Sequence, residues 1–326
     1  MSQRTVNHDE SIRRSWPNMS NDRPAPRCSI GRRTSWLFWS SMSGLGGLYL
    51  VLILLLVFVD FQYANWSDIQ KSLADERVLF SIYLSLTTCS LAAILSIWVA
   101  VPTGYVLARL GRDSIQRNLE QRPRLSRLAQ LMRHSVDTIL DIPIVLPPLV
   151  VGISLLVLFQ TPLGRALDHT TQDLFSWLGF PGIRGITYEI PAIILAQFTV
   201  AAAFAIRTMR NTFEQIDERP ELVALTLGAR RFRVFHTVAM PQAWRGTVAA
   251  FTLAWARSLG EFGPILIFAG TARMKTEVLS TTVYLNFQFG NLRGAVVASL
   301  ILISVAVVAL ITTRLLLLSG YRGGRR

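Results

Sequence analysis

The sequence contains few of the residues on which several active sites depend, and each shortage excludes a class of protein. Lysine supplies only two of the 33 basic residues, Lys71 and Lys275, and neither follows the glycine that precedes the lysine of a nucleotide-binding P-loop. The chain therefore has no ATP site of that type. Its two cysteines, Cys28 in a polar stretch and Cys89 in an apolar one, are too few for a disulfide framework.

Catalytic signatures are absent as well. None of the four histidines is followed by glutamate, so the zinc-protease pattern does not occur, and no Gly-x-Ser-x-Gly nucleophile elbow is found. We expect a protein without covalent chemistry and without a cofactor. Charged residues make up only 16% of the chain, whereas 51% of its residues are hydrophobic, which indicates a membrane protein rather than a disordered chain or a coiled coil.

Apolar stretches recur along the chain. A bilayer core about 30 Å thick requires roughly 20 apolar residues in a helix, because backbone amides find no water there. The sequence predicts an all-α integral membrane protein with six transmembrane helices. These lie at residues 36–59, within 78–108, and at 142–160, 190–206, 244–269 and 294–318.

The basic residues are sorted between these stretches. Alternate connecting segments hold 24 basic residues against 6, and the rich segments are residues 1–35, 109–137, 207–243 and those from Arg314 onward. This distribution follows the positive-inside rule and predicts an inner (plasma) membrane protein with both termini in the cytoplasm. A net charge of +13 that is divided in this way does not indicate a nucleic-acid partner.

The chain is expected to have one membrane domain with two short tails. Residues 1–35 are rich in arginine, serine, asparagine and proline, which is typical of a disordered cytoplasmic tail. Residues 36–318 form the predicted six-helix domain, and residues 319–326 a short basic cytoplasmic tail.

The third basic segment, residues 207–243, has an unusual pattern, and we call it the elbow. Pro220 suits a first helical turn and Gly228 a left-handed stop, which predicts two short helices joined at Gly228. The second helix is predicted to place Phe232, Phe235 and Val238 or Ala239 on one side and to end before Pro241. Composition alone leaves two interpretations open: a helix lying on anionic lipid, or a docking surface for a soluble partner.

The elbow resembles the cytoplasmic coupling motif of ABC importer permeases, in which an acidic residue and alanines precede a glycine and an aliphatic-x-aliphatic-proline follows. Glu221, Ala224, Gly228, Val238 and Pro241 carry the resemblance. The usual acidic position, six before the glycine, holds leucine here, and Glu221 lies one place earlier. The resemblance implies that the elbow seats in a groove of a cytoplasmic ATP-binding subunit and passes on its closing motion.

Two further stretches resemble the molybdate and sulfate branch of these permeases: residues 141–148, which read DIPIVLPP, and residues 256–263, which read ARSLGEFG. The resemblance implies a homodimer in the bilayer that receives an oxyanion from an extracytoplasmic solute-binding protein. Molybdate is the expected ion, with sulfate, tungstate or another solute as alternatives. A channel or membrane scaffold without an ATPase is the alternative from a different class.

One intramembrane cation stands out. Arg257 lies near the middle of the predicted fifth span, and Glu261 follows one helical turn later on the same face. Arg257 either lends positive field to an anion pathway, oriented by Glu261, or pairs structurally with Glu261 or with Asp141. We favour the structural role, because a permanently paired arginine has little charge left for a passing dianion.

Overall fold

The computed structural model describes residues 32–118, 135–136, 138–177, 179 and 185–323. Most of the predicted N-terminal tail, residues 1–31, lies outside the described residues, as do residues 119–134 of the second basic segment and the last three residues. The chain divides between Leu56 and Val57 into two compact units.

The described residues are mostly helical, and none of them forms a β-strand. Its helices, in chain order, are α1 (Arg32–Tyr63), α2 (Trp66–Ala74), α3 (Glu76–Asn118), α4 (Thr138–Val145), α5 (Pro148–Gln160), α6 (Pro162–Trp177), α7 (Ile190–Gln215), α8 (Arg219–Thr226), α9 (Arg231–Val234), α10 (Met240–Leu259), α11 (Gly263–Phe268), α12 (Leu279–Gln288) and α13 (Leu292–Gly323). A π-helical turn (Phe235–Ala239) joins α9 to α10.

Four of these helices are long and apolar enough to cross a membrane: α1, α3, α7 and α13. They coincide with the predicted first, second, fourth and sixth spans, and the all-α membrane fold is confirmed. Helix α13 continues to Gly323, so most of the predicted C-terminal tail, residues 319–326, is helical where it is described.

The remaining two predicted spans are broken helices. The third consists of α4 and α5, which meet at an angle of 112° next to Pro147 and Pro148. Proline disfavours helical conformation in the residue before it, which explains the break. The fifth consists of α10 and α11, interrupted at residues 260–262. Helix α10 has 20 residues but is not apolar enough to count as a span by itself, and α11 has only six residues. The number of six spans therefore stays a prediction.

The two broken helices pack directly on each other. A Cβ atom at Gly152 in α5 would lie 2.8 Å from the Cα atom of Pro264 in α11, a separation that only glycine permits. Non-helical backbone at membrane depth is tolerated where protein covers it. The close contact of α5 with α11 provides such cover for both breaks.

Small residues fill the core between α3, α7 and α10. The alanines that the sequence places in the fourth span are all buried, and those of α3 and α10 pack against them in one cluster. Small residues allow helix backbones to approach closely, which is how helices gain contact in a membrane. The cluster includes Ala93, Ala100, Ala201, Ala205, Ala250 and Ala254.

Replacing Gly104 in α3 with alanine is expected to lower the thermal unfolding midpoint of the detergent-solubilised protein. The added Cβ atom would lie 2.8 Å from the backbone nitrogen of Arg210 and 2.9 Å from Cβ of Met209, so α3 and α7 must separate. Such overpacking costs about 1–3 kcal/mol. Gly44→Ala in α1 is the matched control, because no atom lies within 4 Å of its added Cβ, and it should leave the midpoint unchanged or raised. Equal midpoints for the two variants would contradict close packing at Gly104.

Candidate functional site

The first half of the elbow ends in a complete Schellman motif. Gly228 has φ of +86°, in the left-handed region, and its N–H donates to the Leu225 carbonyl at 3.0 Å. The N–H of Ala229 donates to the carbonyl of Ala224 at 3.1 Å. These two bonds satisfy the last carbonyls of α8, and the turn needs a residue without a Cβ penalty at Gly228. The left-handed stop predicted at this glycine is present.

The second half of the elbow differs from the prediction. It does not end before Pro241, because α9 runs through the π-helical turn into α10 without a break. The Met240 N–H donates to the Phe235 carbonyl, five residues back. Pro241 is the second residue of α10 and lies directly after the π-helical turn. Pro241 therefore lies near the start of a long helix and does not terminate a short one.

The apolar residues of the elbow face two directions, and the predicted single stripe was wrong for Phe232. Phe232 is 76% exposed, whereas Val234 and Ala239 are buried and Phe235 is half-buried against the ring of Tyr105. The π-helical turn contains one extra residue per turn, so a projection with 3.6 residues per turn loses its phase there. We call the exposed set the elbow patch, and its members are Leu222, Val223, Leu227 and Phe232.

Glu221 is turned inward. Only 5% of the residue is exposed, and both carboxylate oxygens are engaged. Oε1 lies 2.5 Å from Nη2 of Arg109, and Oε2 accepts a hydrogen bond of 2.8 Å from the Tyr105 hydroxyl. The sequence did not single out Arg109 or Tyr105. Their i, i+4 spacing in the C-terminal part of α3 places both on one helix face, which is the signal that was available.

The candidate charged residues Arg257, Glu261 and Asp141 lie in two separate ion pairs. Nη1 of Arg257 lies 2.7 Å from Oε1 of Glu261. Asp141 lies 3.7 Å from Nη1 of Arg207 and not against Arg257. Of the two structural pairings considered for Arg257, the structure contains the one with Glu261.

One ion pair lies at a helix interruption, and the other lines a cavity. Glu261 is in the interruption between α10 and α11, where its carbonyl accepts a hydrogen bond of 2.8 Å from the Ser280 hydroxyl. Asp141 and Arg207 line a cavity of about 220 Å³ between α4 and α7. Across the described ranges, no three His, Cys, Asp or Glu side chains come together as a metal site would require.

Comparison with known families identifies the fold. Residues 126–318 match the family described as the binding-protein-dependent transport system inner membrane component. The chain belongs to this family. It is therefore the permease subunit of an ABC importer and a multi-pass membrane protein, of a kind that has no ATPase site of its own.

Curated relatives align with most of the permease. It is 31% identical over 277 residues to the molybdate/tungstate transport system permease protein WtpB of Pyrococcus abyssi, covering 84% of this chain and 94% of that one. It is 33% identical over 192 residues to the molybdenum transport system permease protein ModB of Escherichia coli, covering 58% and 80%. The probable transport system permease protein NifC of Clostridium pasteurianum is 28% identical over 271 residues, covering 83% and 85%.

Solved structures give the same architecture. A bacterial alginate ABC transporter, crystallised in complex with an alginate pentasaccharide-bound periplasmic protein, aligns with a TM-score of 0.57 at 19% identity. The alignment covers 86% of this permease and 93% of that chain. At this identity the likeness concerns the fold alone.

Proposed function

We propose that this permease imports a tetrahedral oxyanion, with molybdate as the substrate, when two copies assemble with two ATP-hydrolysing subunits. An extracytoplasmic solute-binding protein delivers the ion, and both termini of each permease lie in the cytoplasm. The names of the relatives from Pyrococcus and Escherichia support the choice of substrate. Tungstate has nearly the same shape and charge and is the closest competitor.

The elbow carries the coupling half of this proposal. Leu227 is 83% exposed and lies directly before the Schellman glycine, so the turn holds it away from the helical bundle. Exposed apolar side chains that are held rigidly on a basic cytoplasmic segment suit a groove in a partner protein. Glu221 and Gly228 fix the two ends of α8, and Leu222, Val223 and Leu227 of the elbow patch lie along it. We propose that residues 207–243 form the coupling loop.

Uptake in proteoliposomes tests the proposal. The permease, its ATPase subunit and its solute-binding protein are reconstituted together, and labelled molybdate is followed with and without ATP inside the vesicles. We expect ATP-dependent uptake that unlabelled tungstate suppresses strongly and sulfate weakly. Passage of molybdate through the permease alone, down its gradient, would indicate an ATPase-independent channel instead. Failure of the permease to retain any ATPase subunit would indicate a scaffold.

Substitution of the elbow patch is expected to weaken assembly with the ATPase subunit. Leu227→Ser together with Phe232→Ser removes two exposed apolar anchors, and truncating such anchors costs about 2 kcal/mol or more in an interface. The measurement is the amount of ATPase subunit that co-purifies with the permease. Leu163→Ser in α6, which changes a 66% exposed leucine on a different connecting segment, is the matched control. If the elbow lies on lipid instead, both variants will retain the ATPase equally.

A further inference from the structure

A buried cluster of charged and aromatic side chains connects the elbow to the helical bundle, and Arg109 lies at its centre. Arg109 Nη1 donates to the Phe213 carbonyl near the end of α7 at 3.2 Å and lies 3.0 Å from Oε1 of Glu218. Nη2 binds the carboxylate of Glu221. One guanidinium in the C-terminal part of α3 thus contacts α7, α8 and the residue that precedes α8. We call Arg109, Tyr105, Glu218 and Glu221 the clamp.

Aromatic side chains pack next to the clamp. The ring of Tyr105 packs edge-on against Phe213 of α7 at 5.3 Å and against Phe235 of the π-helical turn at 4.8 Å. The hydroxyl of the same tyrosine donates to Glu221. Tyr105 therefore touches both halves of the elbow and α7 at once, and it fixes the carboxylate in the direction of Arg109.

The clamp holds the buried residue of α8. All residues of α8 are described, and among them Glu221 alone is buried. The side chains of Arg109 and Glu221 are 13% and 7% exposed, so solvent screens this pair far less than a surface ion pair. Charge-assisted hydrogen bonds of this kind are roughly twice as strong as neutral ones, and removing one partner leaves a buried charge without compensation.

We propose that Arg109 and Glu221 are positioning residues that make α8, α3 and α7 move as one body, so that motion of the elbow reaches the membrane helices. This inference depends on the proposed docking of the elbow onto an ATPase subunit. A contact of Glu221 with that subunit is the competing role for the acidic residue of the motif. The geometry opposes it, because both carboxylate oxygens already have partners inside this chain.

Glu221→Gln tests the clamp without changing the size of the side chain. The amide keeps the approximate shape and loses the ion pair with Arg109. In complexes that contain the full amount of ATPase subunit, we expect stimulation of ATP hydrolysis by the loaded solute-binding protein to fall on the order of tenfold, with basal hydrolysis retained. Asp217→Asn is the matched control, since it removes an exposed carboxylate four residues away that does not contact Arg109. Equal stimulation in the two variants would overturn the proposal.

The exchanged pair Arg109→Glu/Glu221→Arg separates an internal contact from a contact with the ATPase subunit. If the two residues act on each other, the double variant should regain stimulation that each single variant loses. If Glu221 acts on the ATPase subunit, the exchange gives no recovery, and the inference is wrong. A wild-type complex in which the loaded solute-binding protein does not stimulate hydrolysis would instead refute the proposed function.

A distance measurement covers the case in which these variants do not fold. Spin labels at Thr226→Cys in α8 and Val106→Cys in α3, both exposed positions, are introduced into a permease with an intact clamp that carries Cys28→Ser; Cys89 is buried. We expect one unchanged label-to-label distance in the resting and ATP-bound complex. A distance that changes between these states would mean that α8 moves independently of α3, which contradicts the clamp.

Discussion

A Gly228→Val permease is expected to lose about tenfold of its binding-protein-stimulated ATP hydrolysis. A left-handed conformation costs a residue with a side chain roughly 1–2 kcal/mol, and a β-branched residue is among the worst placed to adopt it. The Schellman bonds to Ala224 and Leu225 depend on that conformation. Without these hydrogen bonds the C-terminal end of α8 is no longer fixed. The elbow patch is then no longer held in position. ATP hydrolysis by the purified complex is the measurement.

The space around Gly228 makes this prediction specific. A Cβ atom there would meet nothing within 4 Å, so the loss comes from backbone conformation and not from a clash. Gly228→Asn is the matched control, because asparagine tolerates the left-handed region, and it should keep most of the stimulation. An asparagine variant as impaired as the valine variant would show that side-chain volume matters instead, which would contradict a purely conformational role.

Removal of Glu261 is expected to have the second large effect. Glu261→Ala leaves Arg257 without its anion inside the membrane domain, where breaking a buried pair costs about 3–5 kcal/mol. We expect the variant to lose about 3 kcal/mol of stability, at the lower end of this range, because 32% of the Arg257 side chain is exposed. The fraction of permease that remains dimeric and ATPase-bound in detergent is the measurement.

The double variant Arg257→Leu/Glu261→Leu distinguishes a structural role of this ion pair from a role in ion transport. A neutral apolar pair replaces the ions without leaving an unpaired charge, and such replacements are often neutral or stabilising. We expect the double variant to assemble and to import molybdate close to the wild-type rate. A double variant that assembles fully and does not transport would place Arg257 or Glu261 in the ion pathway.

Apolar length predicted the uninterrupted spans, because a helix in lipid needs only enough consecutive apolar residues. It described the third and fifth spans less well. Pro147 and Pro148 separate α4 from α5, and residues 260–262 separate α10 from α11. The sequence contains these breakers, but their effect depends on what covers the freed backbone groups. Here the packing of α5 against α11 supplies that cover.

The elbow also has one feature that the sequence predicts and one that it does not. The stop at Gly228 was predictable, since a missing Cβ acts locally. The direction of Phe232 relative to Val238 and Ala239 was not, because the π-helical turn Phe235–Ala239 follows Phe232 and changes the helical phase. A helical projection assumes regular hydrogen bonds, and only the folded chain determines where they become irregular.

The sequence by itself determined the membrane class, the sorting of basic residues and the left-handed turn of the elbow. Each follows from the chemistry of consecutive residues: apolar length, side-chain charge and the absence of a Cβ atom. The tertiary structure decided which charges meet. Arg109 and Glu221 are 112 residues apart, and Asp141 pairs with Arg207 and not with Arg257. Ion pairs between separate helices depend on how those helices pack, and no local pattern in the sequence fixes that arrangement.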